Sequence, residues 1–283
     1  MFGVVPRVLW SKAAKPDDRG RIELAHNCLL LTRVDQPSVK VVIELGSGDK
    51  FDAKARDIFG LSEFTIVDAL REANVAPQDV SHVIVSHLHF DHAGGVTRKS
   101  SPSDIELTFP NAPVHVQARE WRDANANNSV MSRTYLRENL DPIRDRVKLL
   151  DAPLPFEPGH IPAKGESPRA PLVDRLAEIV PGIFGFIVAG HTWGQQAILF
   201  TDDRGRTIVF TPDVLPTANH VGAAYNMAYD VEPYVSTVCR RWFLHEAVVN
   251  DWTLVLDHEP GEPVRKVEPD GKGWFRLVQL SGA

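Results

Sequence analysis

The chain has 283 residues, of which 43% are hydrophobic and 24% charged, the balance of a folded globular protein and not of a disordered or fibrous one. A formal net charge of -6 offers no global attraction to phosphate backbones or anionic bilayers, which sets nucleic acid and membrane surfaces aside as partners. Two cysteines, Cys28 and Cys239, exclude a disulfide framework, no apolar run reaches bilayer length, and residues 1–12, broken by Pro6 and Arg7, lack an export signal's apolar core, so a cytoplasmic protein is expected.

In chain order, Leu29-Leu30-Leu31 and Val41-Val42-Ile43 predict two strands joined by a polar turn at 35–38. From Ser62, a plausible N-cap, Ile66, Val67, Leu70 and Ala73 recur at helical spacing, and Pro77 closes that helix. Residues 83–85 form a buried strand by composition. Residues 114–116 predict another strand, and 120–150 read as largely helical, with Ser132 as a cap and Pro142 as a break. Residues 153–171, rich in proline and glycine, predict a long loop, a lid or rim. Strands follow at 183–188, 197–200 and 207–210, the last two joined by the turn Asp202-Asp203-Arg204-Gly205. A helix from about Ser236 buries Val238, Trp242 and Ala247, and strands at 253–256 and 275–280 close the chain. Strands then helix, twice over, predict an α+β protein of two face-to-face sheets with helices outside, a single domain over 1–283.

The chemistry is concentrated in His87-Leu88-His89-Phe90-Asp91-His92, directly after the 83–85 strand. His87 and His89, two apart in extended chain, point to one side and can grip one ion through neutral nitrogen. Asp91 and His92 follow the turn and face a second ion; a carboxylate beside imidazoles, without thiolate, suits Zn, Mn or Fe. More donors must come from distant chain. His191, Asp213 and His258 each stand where another predicted strand ends, and together they fill a two-metal site.

These segments resemble the metallo-β-lactamase superfamily, whose pattern is an HxHxDH loop, a GHTxG histidine, a bridging aspartate and a late histidine. Within it, Gly3-Val4-Val5-Pro6, Asp213-Val214-Leu215-Pro216-Thr217, Met227-Ala228-Tyr229-Asp230 and Asp257-His258-Glu259-Pro260 resemble the quorum-quenching lactonase branch. The resemblance implies a four-layer αββα sandwich holding two divalent ions, Zn first and Mn, Fe or Co as alternatives. It places His87, His89 and His191 on one ion, Asp91, His92 and His258 on the other, and Asp213 between them. Departures are Glu44 where the family's strand usually ends in Asp, Pro212 before the bridging aspartate, Trp193 and Gln195 in the GHTxGx segment, and Pro216 where well-studied lactonases carry a tyrosine.

The implied activity is a dinuclear hydrolase with a bridging hydroxide, acting on a lactone or other carboxylic ester. Metal binding lowers the pKa of water from 15.7 to about 7, and Asp91 or Asp213 would pass the proton to the leaving group. Tyr225 is the expected replacement for the missing tyrosine, with Tyr229 and His220 as alternatives. Phe90, Trp193, Tyr225 and Met227 are candidates for an acyl pocket. The alternatives are a phosphotriester or phosphodiester hydrolase of the same fold and a non-catalytic metal- or ligand-binding homologue. The expected partner is a small ester or lactone, the chain acting alone or as a homodimer.

Overall fold

The computed structural model describes residues 1–101, 104–126, 133–157 and 159–280. The chain divides into two compact units, one formed by Met1–Asn27 with Asp151–Ala283 and the other by Cys28–Leu150. The first unit opens with a single-turn helix, α1 (Arg7–Trp10), too short to leave a periodic signal.

The chain then builds the second unit. Strands β1 (Leu29–Thr32) and β2 (Lys40–Ile43) pair antiparallel, as the apolar runs require. Helix α2 (Ala53–Phe59), unforeseen, is capped by the Asp52 side chain on the Ala55 N–H at 2.7 Å and ends on left-handed Gly60. Helix α3 (Ile66–Glu72) starts from Thr65 and not Ser62. Asp68 at its third position returns to the Thr65 backbone N–H, a reciprocal cap. Strand β3 (His82–Ile84) runs parallel to β2. The short helix α4 (Phe90–Ala93) and the hairpin β4 (Thr97–Lys99) with β5 (Ile105–Leu107) follow, and β6 (Val114–Gln117) joins β3 in parallel.

The expected 120–150 helix is corrected here. Among the described residues of this stretch, only α5 (Ala118–Asn125) and α6 (Arg137–Leu140) are helical, and β7 (Val147–Leu150) is a strand parallel to β6. Its Val-Lys-Leu-Leu sequence serves either structure, and sheet pairing decides; Ser132 lies outside the described residues. The sheet order is β1-β2-β3-β6-β7, over a core that includes Val42, Leu45, Leu70, Val83, Val85 and Val116.

Back in the first unit come β8 (Ala177–Val180), β9 (Ile183–Ile187), β10 (Gln196–Thr201) and β11 (Thr207–Thr211), antiparallel in turn. Helix α7 (Pro233–Val249) begins at a proline, three residues before the expected Ser236. It crosses over to β12 (Thr253–Leu256), parallel to β11, and β13 (Val264–Pro269) and β14 (Phe275–Gln279) complete a seven-stranded sheet. Its core stacks Phe186, Phe243 and Trp252, with ring centroids 5.6–6.2 Å apart. The described residues of 153–171 form no regular element, as expected. Among the described residues no helix is long and apolar enough to cross a membrane.

Candidate functional site

In the Cys28–Leu150 unit, the loop leaving β3 carries four donor side chains. His87 and His92 are fully buried and His89 nearly so; one ligand atom each of His87 and His89 lie within 4.8 Å of one another. The His87 ring lies 4.5 Å from that of His89 and 3.8 Å from that of His92. The Asp91 carboxylate is partly exposed, 3.8 Å from the His92 Nε2.

Two buried carboxylates hold this loop. β2 ends at Ile43, and Glu44 turns to φ 65, a left-handed conformation costing a residue with a Cβ about 1–3 kcal/mol. The turn lets Glu44 accept from the Ser86 N–H and places its Oε2 2.9 Å from His92 Nδ1. A carboxylate only accepts, so Nδ1 carries the proton and Nε2 is left for an ion. Glu120, in the first turn of α5 and fully buried, accepts from the Leu88 N–H at 3.0 Å and the Tyr135 hydroxyl at 2.9 Å. Burial and the Glu120 charge push the Tyr135 phenol upward, keeping it a donor, and its ring lies 5.1 Å from that of His89.

Behind the loop the buried Lys50 ammonium donates to the Thr97 carbonyl at 2.7 Å and to that of Gly94. Burial lowers its pKa to about 8. A Cβ on Gly94 would lie 2.3 Å from the Ser47 carbonyl oxygen, so only glycine lets the loop close here. Phe90 packs its ring 5.2 Å from Phe51 and 5.3 Å from Phe59.

The other unit carries its own cluster. His191 follows Gly190, whose φ is 133 and where a Cβ would lie 2.3 Å from the Ser236 nitrogen, so no side chain fits. Its Nδ1 donates to Asp230 at 2.9 Å, and its Nε2 faces Asp213 Oδ2 at 3.0 Å. The His258 Nδ1 donates to the Ala25 carbonyl at 2.8 Å, and its Nε2 faces Asp213 Oδ1 at 3.3 Å. Both Nδ1 partners only accept, so with neutral rings both Nε2 atoms point lone pairs at one carboxylate. That arrangement calls for cations between nitrogen and oxygen, and the donor set fits divalent ions. Buried Asp257 belongs to the same cluster: one ligand atom each of Asp213, Asp257 and His258 lie within 4.8 Å of one another.

The segment after Asp213 is braced from α7. Arg240, buried, with its pKa lowered by burial to about 10, donates to the carbonyls of Tyr225 at 3.1 Å and Ala223 at 3.2 Å and to Asn226 Oδ1 at 2.7 Å. The half-buried Tyr225 meets Phe2 edge to face, with ring centroids 5.8 Å apart. Tyr229 is more exposed, its ring 6.0 Å from that of His191 and its hydroxyl on the Met1 sulfur. His220 is fully buried, stacked 4.7 Å from Phe2, and bonded to Thr217 Oγ1 at 2.8 Å; burial lowers its pKa to about 3, so it stays neutral. Gln195 donates to the Val188 carbonyl at 2.8 Å, and Trp193 packs on the core. Neither carries an ionisable group. Sequence reading missed Glu120, Tyr135 and Arg240, whose only signal was a charged or polar residue at a position later found buried, and gave Asp257 no role although it stands in the motif that holds His258.

Residues 21–99 match the family model described as the metallo-beta-lactamase superfamily. A probable metal-dependent hydrolase from Staphylococcus aureus superposes with a TM-score of 0.79 at 26% identity, over 99% of this chain and 92% of that one. By sequence, residues 21–99 are thus similar to the metallo-beta-lactamase superfamily. The expected fold is borne out by that superposition. AidC, a dizinc quorum-quenching lactonase solved with a product, shares the metallo-beta-lactamase fold at a TM-score of 0.68 and 17% identity, over 92% of this chain and 81% of that one. Among curated relatives, an N-acyl homoserine lactonase of a Bacillus species is 26% identical over 195 residues, 69% of this chain. The lactonase AttM of Azorhizobium caulinodans is 30% identical over 149 residues, 47% of this chain and 51% of that protein. The Bacillus match spans 61% of that relative's length.

Proposed function

We propose that the protein is a metal-dependent hydrolase whose two donor clusters serve one dinuclear centre. His87, His89 and His191 would hold one ion, Asp91, His92 and His258 the other, and Asp213 would bridge. The carrying observation is the pair of imidazoles, His191 and His258, facing the two oxygens of Asp213 with their other nitrogens committed to Asp230 and Ala25. Two divalent ions held by these residues would supply Lewis-acid activation of water and of a substrate's carbonyl oxygen at neutral pH.

The chain's own residues do the rest. Glu44, Asp230 and the Ala25 carbonyl fix the tautomer and aim of three histidines, which raises ligand basicity. Asp91, the most exposed of the acidic donors at 28%, would carry a proton to the leaving alkoxide, with Asp213 as the alternative. Tyr225 is the proposed donor to the developing oxyanion in place of the tyrosine that Pro216 displaces, and Phe90 with Phe51 and Phe59 offers apolar surface to an acyl chain. The substrate class we propose is a lactone or other carboxylic ester, supported by lactonase relatives and neighbours. The test is a panel of N-acyl homoserine lactones, aryl esters and phosphotriesters with metal-loaded and chelated protein. Lactone or ester turnover that chelation abolishes is expected; turnover of phosphotriesters alone would move the assignment to phosphoryl transfer, and activity untouched by chelation would end it.

A further inference from the structure

We propose that Asp257 is an additional ligand of the ion held by His258, and that its carboxylate biases that position toward an oxygen-preferring cation such as Mn(II) or Fe(II) over Zn(II). The inference rests on the dinuclear reading above, which assigns that ion other donors.

Asp257 is the first residue past β12 and is 2% exposed. One of its ligand atoms lies within 4.8 Å of those of both Asp213 and His258. Its direction is set by the backbone: the N–H donates to the Thr211 carbonyl at 3.3 Å, and the carbonyl accepts from the Asn27 N–H at 2.8 Å. The strand end thus delivers two consecutive donor side chains, Asp257 and His258, to one cluster. The His258 Nδ1 proton goes to the Ala25 carbonyl, and an Asp257 oxygen lies 3.9 Å from that nitrogen.

Two carboxylates this close, away from water, repel strongly unless a cation lies between them. An imidazole facing the same carboxylate makes a metal ion the fitting cation. A second carboxylate also shifts the donor set from nitrogen toward oxygen, which favours harder divalent ions.

The experiment compares wild type, Asp257→Asn and Asp257→Glu, each stripped by chelation and confirmed folded by circular dichroism. Bound Mn(II) and Zn(II) are measured by mass spectrometry and Mn(II) paramagnetic resonance, with thermal melting of stripped and loaded forms. Asp257→Asn should weaken Mn(II) binding about ten- to a hundredfold, in the range found for changed metal surroundings, with a smaller effect on Zn(II). Asp257→Glu should recover part of the loss. The stripped Asp257→Asn protein should melt higher than stripped wild type, because the repulsion with Asp213 is gone. A merely structural role gives the opposite: a lower melting point when stripped, with the metal preference unchanged. That outcome, or Mn(II) affinity equal to wild type, overturns the proposal. Wild type binding only one ion would instead overturn the dinuclear reading beneath it.

Discussion

At the residue scale, the site depends on groups that orient ligands as much as on the ligands. Glu44 accepts from the Ser86 N–H and holds His92 Nδ1, so Glu44→Gln keeps the size but exchanges a pure acceptor for a group that can present a donor to that nitrogen. We expect metal affinity to fall about ten- to a hundredfold, read by chelator competition; unchanged affinity would make Glu44 a backbone prop only. The phenol question is open to a parallel test. Tyr225→Phe should lower kcat about a hundredfold, the loss typical of one oxyanion donor, with metal content unchanged. Tyr229→Phe is the control that matters, because its ring lies 6.0 Å from that of His191. A loss in Tyr229→Phe alone would transfer the role.

At the element scale, the donors were legible because each follows a strand whose composition is plain: Val83-Ile84-Val85 before His87, Thr207–Thr211 before Asp213, Thr253–Leu256 before His258. What failed was the 120–150 stretch, where Val147–Leu150 became a strand only because β6 offers it a parallel partner. Glu120 was illegible for a related reason. As a residue in a short polar helix it reads as solvent-facing, and only the fold buries it against Leu88 and Tyr135. The same sheet holds a pH-sensitive pair. His82 Nδ1 and His115 Nε2 lie 3.1 Å apart on β3 and β6, with Lys148 opposite on β7. Burial, then the His82 and Lys148 charges, lower the His115 pKa to about 4. The unfolded chain binds this proton from about pH 6.5 downward while the folded one resists, so stability is full above that pH and declines as pH falls toward 4. The drop should be on the order of 2–3 kcal/mol at pH 4. Urea unfolding of the stripped protein from pH 7 to 4 should show it, and His115→Gln should flatten it; an equal decline in the variant would place the acid sensitivity elsewhere.

At the scale of the whole molecule, one unit is assembled from both ends of the sequence, and the early segment is tied to the late histidine. The Asn27 amide donates to the carbonyls of Leu256 and Glu259, both at 2.9 Å, and Ala25 and His258 exchange backbone and side-chain bonds. Asn27→Ala leaves two carbonyls without that donor and should cost about 1–3 kcal/mol, seen as a lower melting point and a weaker hold on metal. Ligands drawn from segments so far apart also make metal binding part of folding: ions at a thousandfold excess over their dissociation constant add about 4 kcal/mol. The central claim is that these scattered donors hold two ions through Asp213. The most direct measurement is metal stoichiometry per chain by inductively coupled plasma mass spectrometry, on wild type and Asp213→Ala, with hydrolysis assayed on the same samples. The account predicts about two ions in wild type, with metal and activity lost together in Asp213→Ala. One tightly held ion with full activity, or an active Asp213→Ala protein, would contradict it.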